Sequence, residues 1–226
     1  MAAGSFDALA WYKTNRAFAV GIDEAGRGPL AGPVVAAAVI LDPKRPIRGL
    51  KDSKILTAKK REKLYKLIHE RAKVVAIAEV GPDQIDRLNI FRASLKGHSD
   101  AFAKLRLEFT EEISGVLVDG NALPMLPLGV PAYAVVGGDG IIPAVMAASI
   151  VAKVWRDRIM VEAAKLYPLY GFDEHKGYAT AQHLDALAKH GPCPIHRRSF
   201  TPVVQPSLDF GPGTLPGAEV LFGEGH

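Results

Sequence analysis

Ala17-Phe-Ala-Val-Gly-Ile22 is a short apolar run with β-branched members. It leads straight into Asp23-Glu24 and then into Ala25-Gly-Arg-Gly-Pro-Leu-Ala-Gly-Pro33. The run reads as a strand that ends at the acidic pair. Gly26, Gly28 and Gly32, with Pro29 and Pro33, make the next stretch a tight turn or loop. Val34 to Leu41 is uninterrupted apolar sequence and reads as a second buried strand. Two strands joined without a helix break the repeated strand–helix–strand pattern, so the sheet is expected to be mixed.

Outward from this segment, strands and helices interleave. Asp42 to Ile55 reads as a loop. Thr57 is an N-cap candidate for a helix to about Ala72, with Leu64, Leu67 and Ile68 on one face. Lys73 to Val80 reads as a strand. Pro82 opens a short helix through Leu88, and Asn89 caps a longer one toward Leu107. Val116-Leu-Val-Asp119 and Ala132 to Val136 read as strands, the second followed by Gly137-Gly-Asp139. A long helix is expected from Pro143 to Tyr167 and a shorter one from Thr180 to His190. The fold class is α/β, with a central mixed sheet flanked by helices and further helices toward the C-terminus. Residues 1–204 are expected to form one domain, and the Gly- and Pro-rich residues 205–226 a flexible tail.

The 226 residues suit a single domain with its own core. Cys193 is the only cysteine, which excludes an internal disulfide and a multi-thiolate metal site. With His196 it is read as structural. The longest uninterrupted apolar run, Val34 to Leu41, is far short of a membrane helix. No secretory signal is read in Met1-Ala-Ala-Gly-Ser-Phe-Asp7, so a cytoplasmic monomer with no membrane association is expected. The net charge is +4, but between Lys44 and Lys73 twelve basic residues face only Asp52, Glu62 and Glu70. Such a surface suits a polyanion such as nucleic acid, and equally a solvated helix face.

The acids are the chemical signal. Asp23-Glu24, Asp119 and Asp139 each follow an apolar, strand-like segment, so strands in one sheet would bring them together. Any one of them alone is as simply a turn or cap residue. Converging carboxylates repel one another and persist mainly around a divalent cation. Oxygen ligands without His or Cys favour magnesium or manganese over zinc. Two such ions about 3.5–4 Å apart suit phosphodiester hydrolysis. Gly26-Arg27-Gly28 offers close backbone approach and a guanidinium for phosphate or hydroxyl oxygens. Ser149, Lys153 and Asp157 share one stripe of the long helix, as a site face or as a structural network. Tyr178 is a candidate for stacking on a sugar or base.

Gly21-Ile-Asp-Glu-Ala-Gly-Arg-Gly-Pro-Leu-Ala-Gly-Pro-Val-Val-Ala-Ala-Ala-Val39 closely resembles the opening motif of bacterial ribonuclease HII, the type 2 ribonuclease H. The resemblance continues through Asp52-Ser-Lys54, Ile85-Asp-Arg-Leu-Asn-Ile90, Leu117-Val-Asp-Gly-Asn121 and Ala147-Ala-Ser-Ile-Val-Ala-Lys-Val154. Arg156-Asp157, Tyr170-Gly-Phe172, His175-Lys-Gly-Tyr178 and Gly191-Pro-Cys-Pro-Ile-His-Arg-Arg-Ser-Phe200 complete it. It implies a ribonuclease H-like fold. It also implies Mg2+- or Mn2+-dependent endonucleolytic cleavage of RNA in RNA–DNA hybrids, and 5′ of ribonucleotides embedded in duplex DNA, leaving 3′-hydroxyl and 5′-phosphate ends. By the same resemblance Asp23, Glu24, Asp119 and Asp139 are the catalytic, metal-binding acids. Gly26, Arg27 and Gly28 sense the ribose 2′-hydroxyl, Tyr178 stacks on the following deoxyribose, and Lys54 lies near the phosphate backbone.

One segment departs from the family pattern. A Lys-Gly-Asp sequence followed closely by Lys-Ser usually surrounds the fourth acid, whereas this chain has Gly137-Gly-Asp-Gly-Ile-Ile142. The missing lysines alter the electrostatics around Asp139. Two other readings are open to such a chain: a structure-selective DNA nuclease on the same fold, and a non-catalytic nucleic-acid-binding module. The Gly-Arg-Gly loop argues against the first and the four acids against the second. The related type 3 enzymes carry an extra N-terminal domain, and about sixteen residues precede the first strand here, which disfavours that type.

Overall fold

A computed structural model describes residues 6–127 and 129–204. The tail expected at 205–226 lies outside the described residues. Five strands form one sheet: β1 (Ala19–Ala25), β2 (Val34–Ile40), β3 (Val74–Val80), β4 (Gly115–Asp119) and β5 (Ala132–Val135). Their order is β3-β2-β1-β4-β5. The β1–β2 and β2–β3 pairs are antiparallel, while β1–β4 and β4–β5 are parallel. The expected mixed sheet is therefore present. Its central strand, β1, runs through the acidic pair and ends one residue beyond it, at Ala25.

In order along the chain, the helices are α1 (Ala8–Asn15), α2 (Ala58–Arg71), α3 (Pro82–Leu88), α4 (Ile90–Glu108) and α5 (Gly138–Ile141), then α6 (Pro143–Leu166), α7 (Phe172–His175), α8 (Ala181–His190) and α9 (Thr201–Val204). A 3-10 turn, Ser53–Ile55, interrupts the loop between β2 and α2. Thr57, Asn89 and Thr180 cap α2, α4 and α8 through their side chains, where the sequence places N-caps. Sequence reading missed α1. Its packing face is only Ala8, Leu9, Trp11 and Tyr12, too short a run to declare a period, and its start depends on Asp7, whose carboxylate accepts from the Ala10 N–H at 2.9 Å.

The sheet separates two apolar layers. On one face Ile22, Ala36, Val116 and Val118 pack with Phe102 and Leu105 of α4. On the other, Val35, Ala37 and Val39 pack with Ile68 of α2 and Ile150 and Val154 of α6. The start of α6 presses directly on β1. A Cβ on Gly21 would fall 2.2 Å from the Ala144 carbonyl carbon, so only glycine allows this approach. That close packing sets α6 against the acidic end of β1.

Candidate active site

Parallel pairing carries β1 and β4 to the same end of the sheet. The register pairs Ile22 with Val118, so Asp23 and Asp119 follow side by side. The third acid arrives differently from expectation. Asp139 does not close a strand: β5 ends at Val135, and Asp139 sits in the first turn of α5. Gly137, with φ +69°, reverses the chain between them. The Asp139 N–H then donates to Asp119 Oδ1 at 3.3 Å. Carboxylate oxygens of Asp23, Asp119 and Asp139 lie within 4.8 Å of one another.

Glu24 stands apart from this trio because successive strand side chains point to opposite faces. Asp23 shares the α6 side of the sheet with Asp119, while Glu24 turns toward α4. There its Oε2 accepts from His98 Nε2 at 2.6 Å, and its Oε1 accepts from Arg27 Nη1 at 3.3 Å. The expected gathering of the acids is thus three on one face with Glu24 on the other, across the edge of one strand.

The electrostatics follow this division. Burial, with Glu24 and Asp119 nearby, pushes the Asp23 carboxyl well above the usual range. Asp119 is raised as well, by burial and then by Asp139. Burial also pushes Glu24 upward, but the His98 ring and the Arg27 guanidinium outweigh it and hold this carboxyl low. Lys54 Nζ lies 2.9 Å from Asp139 Oδ2, so a cation already meets the acid whose neighbouring lysines are absent. Three crowded carboxylates with oxygen-only donors fit a hard divalent cation such as Mg2+ or Mn2+.

The Gly26–Gly28 loop is braced from beneath by two fully buried arginines. Arg197 donates to the carbonyls of Gly26 at 2.5 Å, Arg27 at 2.9 Å and Gly32 at 3.0 Å. Arg156 donates to the carbonyls of Pro33, Lys176 and Ala31, each at 3.0 Å. Gly26 has φ +98°, and a Cβ there would fall 2.1 Å from Arg156 Nε. Tyr178 stands beside this loop, half-exposed, with its ring 3.7 Å from where a Gly28 Cβ would lie.

The Ser149, Lys153 and Asp157 stripe divides. The Ser149 hydroxyl is 2.8 Å from Ser53 Oγ, on the side of α6 that faces Asp23. Lys153 donates to Asp157 at 2.7 Å, and Arg61 lies 3.9 Å from the same carboxylate. Cys193 and His196 are structural: His196 Nδ1 accepts the Cys193 N–H at 2.9 Å within the core beneath α8. Lys59, Lys60, Lys63 and Lys66 are exposed on α2, so the basic surface is real. His98, Arg156 and Arg197 escaped the residue-by-residue reading, because all their partners but Lys176 lie between 74 and 171 positions away.

Residues 20–203 match the family model described as Ribonuclease HII. A ribonuclease HII from Acidovorax sp. (strain JS42) is 54% identical over 198 residues, covering 88% of this chain and 91% of that protein. Among solved structures, ribonuclease H2 from Pyrococcus horikoshii OT3 superposes with a TM-score of 0.69 at 26% identity, covering 83% of this chain and 96% of that one. Bst-RNase HIII in complex with Mn2+ superposes at 0.74 with 20% identity, covering 88% and 72%, and shares the fold. The acidic end of this five-stranded sheet is therefore that of an endoribonuclease, and the chain belongs to the ribonuclease HII family.

Proposed function

We propose that this endoribonuclease cuts RNA paired with DNA, and cuts duplex DNA on the 5′ side of an embedded ribonucleotide, so serving removal of misincorporated ribonucleotides. The observation that carries the reading is the trio Asp23, Asp119 and Asp139, gathered within 4.8 Å next to the braced Gly26–Gly28 loop. Asp23, Asp119 and Asp139, with Glu24 at the edge, would hold Mg2+ or Mn2+. When bound, a pair of such ions activates the attacking water and stabilises the departing 3′-oxygen.

The chain's own residues supply placement. The rigid Gly26–Gly28 backbone and Arg27 meet the ribose 2′-hydroxyl, which distinguishes RNA from DNA. Tyr178, on the far side of Gly28, stacks on the sugar that follows. Lys54 and the lysines of α2 take the phosphate backbone. Ser149, hydrogen-bonded to Ser53, ties the 3-10 turn that carries Lys54 to α6 beside Asp23. The products are a 3′-hydroxyl and a 5′-phosphate.

The test is cleavage mapping on a DNA duplex holding one ribonucleotide, beside an all-DNA duplex and an RNA–DNA hybrid. A single cut 5′ of the ribonucleotide that needs added divalent metal supports the reading. Equal cutting of the all-DNA duplex would point to a DNA nuclease instead. Full activity in excess chelator would remove the metal from the mechanism.

A further inference from the structure

Glu24 is held on both oxygens, and the two bonds differ in kind. The Arg27 contact is long, at 3.3 Å, and comes from a side chain 52% exposed. The His98 contact is short, at 2.6 Å, and comes from a ring 3% exposed on the inner face of α4. A carboxylate only accepts, so the proton of this bond is on Nε2. The other ring nitrogen, Nδ1, is buried with no hydrogen-bond partner, as is Ser94 Oγ one turn earlier on α4.

That arrangement is costly for a histidine. A buried polar atom without a partner destabilises the fold, and an apolar side chain of similar size would fill the same space without that penalty. Beyond His98 on this face of α4, Ala101, Phe102 and Leu105 are apolar. The single bond that the ring makes is to Glu24, and it makes that bond at hydrogen-bonding distance from deep within the core.

We propose that His98 is a positioning residue for Glu24. It pins Oε2, which leaves Oε1, held only by the longer Arg27 contact, as the oxygen that Glu24 would offer a divalent cation. The α4 face thereby sets the fourth acid, just as α6 and α5 set the other three. The inference rests on the reading of Glu24 as a metal-binding acid, and its test separates the two. Buried partners that orient a ligand typically change metal affinity by about 10–100-fold when removed.

The experiment is calorimetric titration of the whole protein with Mn2+ alone, without nucleic acid, after circular dichroism has confirmed folding. His98→Met removes the donor while keeping an adaptable apolar filler, with His98→Leu as the substitute should the first not fold. His98→Gln keeps a donor. Glu24→Gln and His98→Met are expected to weaken Mn2+ binding about 10–100-fold, with His98→Gln within a few-fold of the parent. In cleavage assays at saturating metal, His98→Met should lower kcat and leave the substrate KM unchanged. If Glu24→Gln weakens binding while His98→Met superimposes on the parent, the positioning role is overturned and the metal reading stands. If His98→Gln is as weak as His98→Met, ring shape rather than the hydrogen bond matters, and the proposal fails. If Glu24→Gln binds Mn2+ as the parent does, Glu24 is no ligand and both readings of it fall.

Discussion

Lys54 and Asp139, 85 positions apart in the chain, are joined by a 2.9 Å contact between Nζ and Oδ2. The ammonium is mostly exposed and the carboxylate buried, so the lysine closes the outer side of the acid cluster. The carboxylate of Asp139 raises the lysine's own pKa. The 3-10 turn after β2 thus delivers a cation that the segment before Asp139 lacks. Lys54→Met should raise the substrate KM several-fold at low salt, and less at high salt, where phosphate contacts are screened. Its unfolding free energy should change by no more than about 1 kcal/mol, as for other exposed pairs. Steady-state kinetics across a salt series check the first claim and thermal melting the second. An unchanged KM at every salt concentration would limit Lys54 to holding Asp139.

Stability of the metal-free protein should fall as pH rises from about 4. Asp23 and Asp119 carry raised pKa values, so the folded state keeps protons that the unfolded chain has released. Their contribution is favourable below the folded pKa values and is lost as pH rises through them. Glu24, held low, acts oppositely and contributes stability that disappears in acid. Added Mg2+ or Mn2+ should raise the melting temperature at neutral pH and much less near pH 4, because protons compete for the same oxygens. Asp23→Asn should flatten the pH dependence, remove most of the metal response and abolish turnover. Melting curves over a pH series, with and without metal, decide this.

Gly26→Ala should be strongly destabilising, by about 2 kcal/mol or more, because it combines a positive φ with a clash into a fixed guanidinium. Arg156→Met should be worse, since it strands three carbonyls at about 1–3 kcal/mol each. Urea unfolding measures both. A Gly26→Ala protein as stable as the parent would show that the loop shifts freely, against the bracing described above.

Tyr178→Phe should leave cleavage close to that of the parent, because the expected contribution is the ring face. Tyr178→Ala should weaken binding of a ribonucleotide-containing duplex by about 1–3 kcal/mol. Binding to catalytically inactive protein (Asp119→Asn) reports this without turnover. Equal loss in both variants would shift the role to the hydroxyl.

Local pattern carried most of the architecture. Val34 to Ile40 is apolar throughout because both faces of β2 are covered, and Thr57, Asn89 and Thr180 announce their helices through cap chemistry. The three-acid trio was legible as acids after apolar runs, although Asp139 reaches it through a glycine turn and not a strand end. What escaped was long-range or two-sided. The split between Asp23 and Glu24 follows from the two-residue period of a strand that continues through both, and reading the strand as ending at the pair hid it. His98 looks like any polar residue on a helix until α4 is laid over β1. Arg156 and Arg197 look like surface charges until their carbonyl partners close around them.

Those two arginines also orient the peptide planes above them. No described peptide bond is cis, and in a trans peptide the C=O and the following N–H point in opposite directions. The Gly26 and Arg27 carbonyls turn down to Arg197. The amide hydrogens of Arg27 and Gly28 must therefore face the other way, away from Arg197. The buried guanidiniums act as an inner template that sorts the loop's dipoles, acceptors below and donors above. An oxygen-rich ligand meets a surface whose polarity was set during folding, before any substrate arrives.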